Sequence, residues 1–94
     1  MFRKLDGKLT IDKDPDSTLI YGFDLNQWLE GDQVASVTAQ TIGVNATDIE
    51  HDDGEIFALV SGGTVGEPAS ITFRFTTESG QIDDRTIHFN ILHR

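Results

Sequence analysis

Cysteine is absent from this 94-residue chain, proline occurs twice and tryptophan once. Without cysteine there are no disulfides, no thiol catalysis and no Cys-ligated zinc. No apolar run approaches the ~20 residues of a membrane-spanning helix. Residues 1–8 lack the apolar stretch of a signal peptide, so synthesis in the cytoplasm is expected. Basic residues are scarce as well. Lys plus Arg is 7 against 16 Asp plus Glu, a formal charge of −9. Between Asp14 and Phe73 there is no Lys or Arg at all, against eleven acids. Nucleic acid and anionic membranes need a basic footprint, so neither is expected as a partner. No segment sustains a 3.6-residue hydrophobic period, which leaves little room for helix.

What the chain does have is alternation. Ala69, Ile71, Phe73 and Phe75 fall on one side of an extended run, with Ser70, Thr72, Arg74 and Thr76 on the other. Ile87, Phe89 and Ile91 repeat the pattern. The period of 2 predicts two strands with one dry face each. Ser79-Gly80 predicts a hairpin turn between them, with Gly80 at positive φ. Earlier strands are predicted over 8–11, 17–24, 34–42, 43–49 and 55–61. In the second of these Leu19, Tyr21 and Phe23 share a face. A single helical turn is expected around Trp28 and Leu29. About seven short strands separated by turn signals predict an all-β fold: a two-layer antiparallel β-sandwich of immunoglobulin or fibronectin-III type. A small closed barrel is the alternative. The domain organisation is a flexible N-terminal arm over 1–8 and one sandwich domain over 9–94. If successive strands alternate in direction, the loops at 25–33, 50–54 and 77–83 share one end, and the loop at 62–66 joins Asp14 and Asp16 at the other.

The candidate sites are few. Residues 48–55 place acids at alternate positions before Gly54, and several hard oxygens on a turn suit calcium. The glycine comes one place late for an EF-hand loop and the distal Glu is missing. A solvated acidic turn is the expected reading, and a weak divalent site the alternative. His51, His88 and His93 have no metal-ligand spacing. Phosphate-cradling loops and the His-Glu-x-x-His motif are absent, so no catalysis, metal or cofactor is expected. Trp28 lies in a connection, where it either caps the open end of the core or anchors a partner. Arg85, just after the predicted hairpin turn, is expected to pair with an acid.

Taken in order, Asp14-Pro15-Asp16, Tyr21-x-Phe23-Asp24, Trp28-Leu29 and Gly31-Asp32 resemble a group of small tailed-bacteriophage virion proteins of the fibre-tail adaptor type. Ser61-Gly62-Gly63-Thr64-Val65-Gly66, Thr76-Thr77, Ser79-Gly80 and Asp84-Arg85-Thr86-Ile87 continue the likeness, which spans roughly 14–91 and departs from the pattern at Gly22 and along the acidic stretch 48–55. The resemblance implies a non-enzymatic virion structural protein, made in the host cytoplasm and placed between tail or neck and fibre. Its expected partners are other virion proteins, with several copies in a symmetric ring. A capsid decoration protein, or a calcium- or carbohydrate-binding module, is the alternative. The residues expected to meet a partner are Phe2, Arg3 and Lys4 of the arm, and Trp28, Leu29, Glu30, Asp32, Asp52 and Asp53 of the acidic end.

Overall fold

The computed structural model describes residues 4–5 and 8–93. Its strands are β1 (Lys4–Leu5), β2 (Lys8–Lys13), β3 (Thr18–Asp24), β4 (Val34–Ile42), β5 (Asn45–Asp52), β6 (Glu55–Ser61), β7 (Ala69–Thr77) and β8 (Ile82–Ile91). One helical turn, α1 (Asn26–Leu29), joins β3 to β4. The strands form two sheets, a large one in the order β1-β2-β8-β7-β4 and a small one in the order β3-β6-β5. The fold is thus an all-β sandwich, seven full strands plus the two-residue β1.

Alternation puts the core between the sheets. Ile71, Phe73, Phe75, Ile87 and Phe89 come from the large sheet, and Tyr21, Ile56, Ala58 and Val60 from the small one. Tyr21 meets Phe89 edge-on at 5.0 Å, and Phe23 meets Phe73 at 6.1 Å, which places β3 over β8 and β7. The β7–β8 hairpin has the expected turn, with Gly80 at a φ of 97°.

One feature corrects the sequence reading. The sandwich is not wholly antiparallel: β2 runs parallel to β8, with Leu9 beside Ile87 and Ile11 beside Phe89. The turn at Asp14-Pro15-Asp16 carries the chain across to the small sheet instead of folding it back on β2. With no hairpin possible, β2 takes the open edge at β8. The first strand of an immunoglobulin constant-type sandwich borders the opposite sheet. Leu19 shows what alternation leaves open. It alternates with Tyr21 as expected, yet it is 53% exposed, because β3 is an edge strand.

Gly22 sits where no side chain fits. A Cβ there would stand 2.0 Å from the Ile56 carbonyl oxygen and 2.7 Å from the Phe57 Cβ. The carbonyl is backbone, so the two strands must part. Gly22→Ala is expected to destabilise the fold by about 1–3 kcal/mol, read as a lower urea midpoint. An unchanged midpoint would mean that β3 can move off β6 without loss.

Candidate interaction surface

Three loops meet at one end of the sandwich, and hydrogen bonds tie them together. Leu25 and Leu29 are one helical turn apart and both are buried, which fixes α1 against the core. The Leu29 N–H donates to Leu25 O at 2.8 Å, and Glu30 closes the turn in the left-handed region at a φ of 49°. The Leu25 N–H donates to Gly54 O at 2.8 Å and the Asn26 amide donates to Asp53 O at 3.1 Å, joining this loop to the β5–β6 turn. On the other side the Glu78 N–H donates to Gln33 O at 2.8 Å, joining it to the β7–β8 turn. The grouping expected from alternating strand direction is the one found. At the opposite end the Lys13 ammonium donates to Gly62 O, which joins the 14–17 turn to the start of the 62–68 connection.

Electrostatics reinforce these ties. The Asp32 carboxylate accepts from the Ser79 hydroxyl and from the Gln33 N–H at 2.9 Å. Those bonds, the Ser79 hydroxyl first, hold Asp32 below the usual carboxylate range. Asp24 is lowered by the Asn26 backbone N–H and then by its side-chain amide. Arg85 pairs with Asp83 at 2.7 Å, the intramolecular partner expected for it, and its hydrogen bond lowers the Asp83 carboxyl. Arg74 pairs with Asp84 at 2.9 Å across the β7–β8 ladder.

Trp28 stands over this end. Its ring meets buried Phe75 edge-on at 5.3 Å, with an interplanar angle of 90°. The Arg85 guanidinium lies 5.6 Å from the centroids of both rings, so the cation is held against two aromatic faces. Trp28 therefore caps the core, yet 38% of it remains exposed. Glu30, Asp52 and Asp53 at the same end are exposed, and Asp32 is half-buried. Leu29 points inward and is buried. Phe2 and Arg3 lie outside the described residues, and Lys4 is described only as backbone in β1.

The acidic 48–55 segment is a strand and a tight turn. Asp53 and Gly54 at φ of 48° and 82° form the two-residue turn of a hairpin. Among the described residues no three His, Cys, Asp or Glu side chains gather closely enough to hold a metal ion. Tyr21 is buried, whereas Trp28 is partly exposed; a carbohydrate-binding surface would draw on exposed aromatics of this kind. Among the described residues no helix is long and apolar enough to cross a membrane.

A comparison with protein families matches residues 13–90 to the family described as Podophage GP4 fiber-tail adaptor protein gp77. The chain belongs to that family. The match covers everything from the last residue of β2 to the penultimate residue of β8, so the tied loops, Trp28, the whole small sheet and β8, β7 and β4 of the large one lie within the adaptor family's span, apart from the last residue of β8. A comparison with curated proteins finds no match.

The sequence reading missed two groups that matter here. Lys13 was left outside the first strand, although continuing the alternation of Leu9 and Ile11 by one step points it inward. The Asp32–Ser79 bond joins residues 47 positions apart, and no local pattern announces it.

Proposed function

We propose that this chain is a non-enzymatic structural part of a podophage particle that couples a fibre to the tail, with its three-loop end as one contact. The observation that supports this most is Trp28. An aromatic side chain fixed by Phe75 and Arg85, yet still partly exposed, is the kind of residue that anchors interfaces. The loops beneath it are tied by hydrogen bonds, so little ordering entropy is lost on docking. The same end carries Glu30, Asp32, Asp52 and Asp53, and their negative charge suits a basic partner surface. The N-terminal arm, with Phe2, Arg3 and Lys4, supplies the other contact and is opposite in charge. Copies are arranged in a ring that follows the symmetry of the tail.

A cryo-EM map of the particle tests the role: density for this fold between tail and fibre is the expected result, and absence of the chain from particles overturns it. Trp28→Ala tests the contact. Truncating an interface anchor costs about 2 kcal/mol or more of binding, which is roughly thirty-fold in Kd. The expected result is that loss against the co-purifying virion partner, with cooperative melting retained. Unchanged affinity would move the contact away from this end.

A further inference from the structure

The small sheet ends at β3, and the direction of its unused backbone groups can be worked out. The Leu25 N–H bonds to Gly54 O in continuation of the β3–β6 ladder. Antiparallel pairs alternate between bonded and non-bonded. The bonded pairs are therefore Phe23–Ile56, Tyr21–Ala58 and Leu19–Val60. The N–H and C=O groups of Thr18, Ile20 and Gly22 then point away from β6. Among the described residues no strand lies beyond them.

Other edges carry protective features that β3 lacks. β5 has a register shift between Thr47 and Glu50, with Asp48 at a φ of 52°, and bears several acids. β4 is irregular between Val34 and Ser36. β1 is two residues long. Irregularity, charge and shortness are the usual means of keeping an edge from pairing. β3 is in unbroken register with β6 over seven residues and carries no charge or proline before Asp24. Ile20 on its outer face is 68% exposed, and Leu19 on its inner face 53%. A groove of about 280 Å³ is lined by Ile20, Gly22, Asp24 and Phe57. On the facing sheet Leu9 and Ile11 of β2 pack against the core but are only partly buried.

We propose that the β3 edge takes up an extended segment of another virion protein, apolar at alternate positions and carrying Lys or Arg where it passes Asp24. The charge follows from the sheet. Asp52, Glu55 and Asp24 lie in one cross-strand row over β5, β6 and β3. Like charges directly opposite each other repel, and a base on the next strand relieves the row. A second copy of this chain is disfavoured by the same row and by the −9 charge. The added strand's inward residues cover Leu19, and an outward apolar residue fills the groove over Gly22. The site rests on the adaptor reading and adds a third surface, which meets the three-loop end at Asp24, where the Asn26 N–H and side-chain amide donate to its carboxylate.

The test uses amide exchange on the full chain with a synthetic peptide, Lys-Thr-Val-Thr-Ile-Thr-Val-Thr-Lys, and the same peptide with Glu at both ends. The Lys-ended peptide is expected to slow exchange at Ile20 and Gly22 by about tenfold or more, the Glu-ended one not. Ile20→Pro removes an outward N–H without breaking the β6 ladder and is expected to abolish the effect. Should that variant not fold, Ile20→Lys keeps the backbone and is expected to weaken the Lys-ended peptide by about tenfold through repulsion. The proposal is overturned by no slowing at Ile20 and Gly22, by equal slowing with both peptides, or by slowing that grows with protein concentration alone, which would mean a second copy. Mass spectrometry of particles keeps the two readings apart. A chain absent from particles fails as an adaptor, whereas a chain present in them with an unprotected Ile20 fails only at this edge.

Discussion

Phe73→Ala is expected to lower the unfolding free energy by about 3–5 kcal/mol. Phe73 lies on β7, flanked on both sides by β4 and β8, and none of it is exposed. Its ring meets Phe23 of the facing sheet edge-on at 6.1 Å, so the truncation removes contact across the sandwich as well as within the sheet. A β ladder cannot collapse into the space, because Ala39 and Arg85 beside Phe73 are held by their own strands. Domains of this size are stable by about 5–15 kcal/mol, so the loss is a large share of the whole. Urea unfolding at equilibrium measures it. A loss under about 1 kcal/mol would mean that Phe73 does not face the core.

The strands that read most clearly in the sequence are those with one wet and one dry face. Residues 34–42 and 55–61 keep the bounds predicted for them. In 55–61 both faces are apolar, and Ile56, Ala58 and Val60 are the ones buried while Phe57 and Leu59 are half-buried. Grouping the loops needed only alternating strand direction, and the bonds from Leu25 to Gly54 and from Glu78 to Gln33 fit it. Pairing partners were a different matter. Period 2 assigns faces and is the same for parallel and antiparallel neighbours, so nothing in residues 8–13 announced β8. Exposure at Leu19 was illegible for a related reason. Alternation says which way a side chain points, and only strand order says whether a neighbour covers it. Glu30, Asp32, Asp52 and Asp53 could be placed at one end from the sequence, whereas the cap over Phe75 and Arg85 needed coordinates to bring Trp28 onto residues more than 40 positions away.

Lys13→Met is the second change with a large expected cost, about 2–4 kcal/mol. Only 1% of Lys13 is exposed, and its side chain runs inward at the end of β2. The ammonium has three donors, and each finds a backbone carbonyl: Gly62 at 2.7 Å, Ser17 at 2.8 Å and Asp14 at 3.0 Å. Burial pulls the amine below the ordinary lysine range, and the Asp14 and Asp16 carboxylates oppose that pull. Methionine keeps most of the stem volume and removes all three donors, so the loss isolates the hydrogen bonds from the packing. Its size stays below the sum of three charge-assisted bonds, because the carbonyls sit in turns that water can reach. Arginine should not rescue the site: a planar fork cannot send three bonds in the diverging directions of an ammonium. The damage should also be local before it is global. The Ser17 N–H donates to Asp14 O at 3.1 Å and the Leu92 N–H to Lys13 O at 3.0 Å, and both bonds depend on the turn that Lys13 gathers. Faster amide exchange at Ser17 and Leu92 in Lys13→Met, at denaturant levels where Phe73 is still protected, would show one lysine holding that end of the sandwich closed. Unchanged exchange at both amides would show that the Asp14-Pro15-Asp16 turn stands without it.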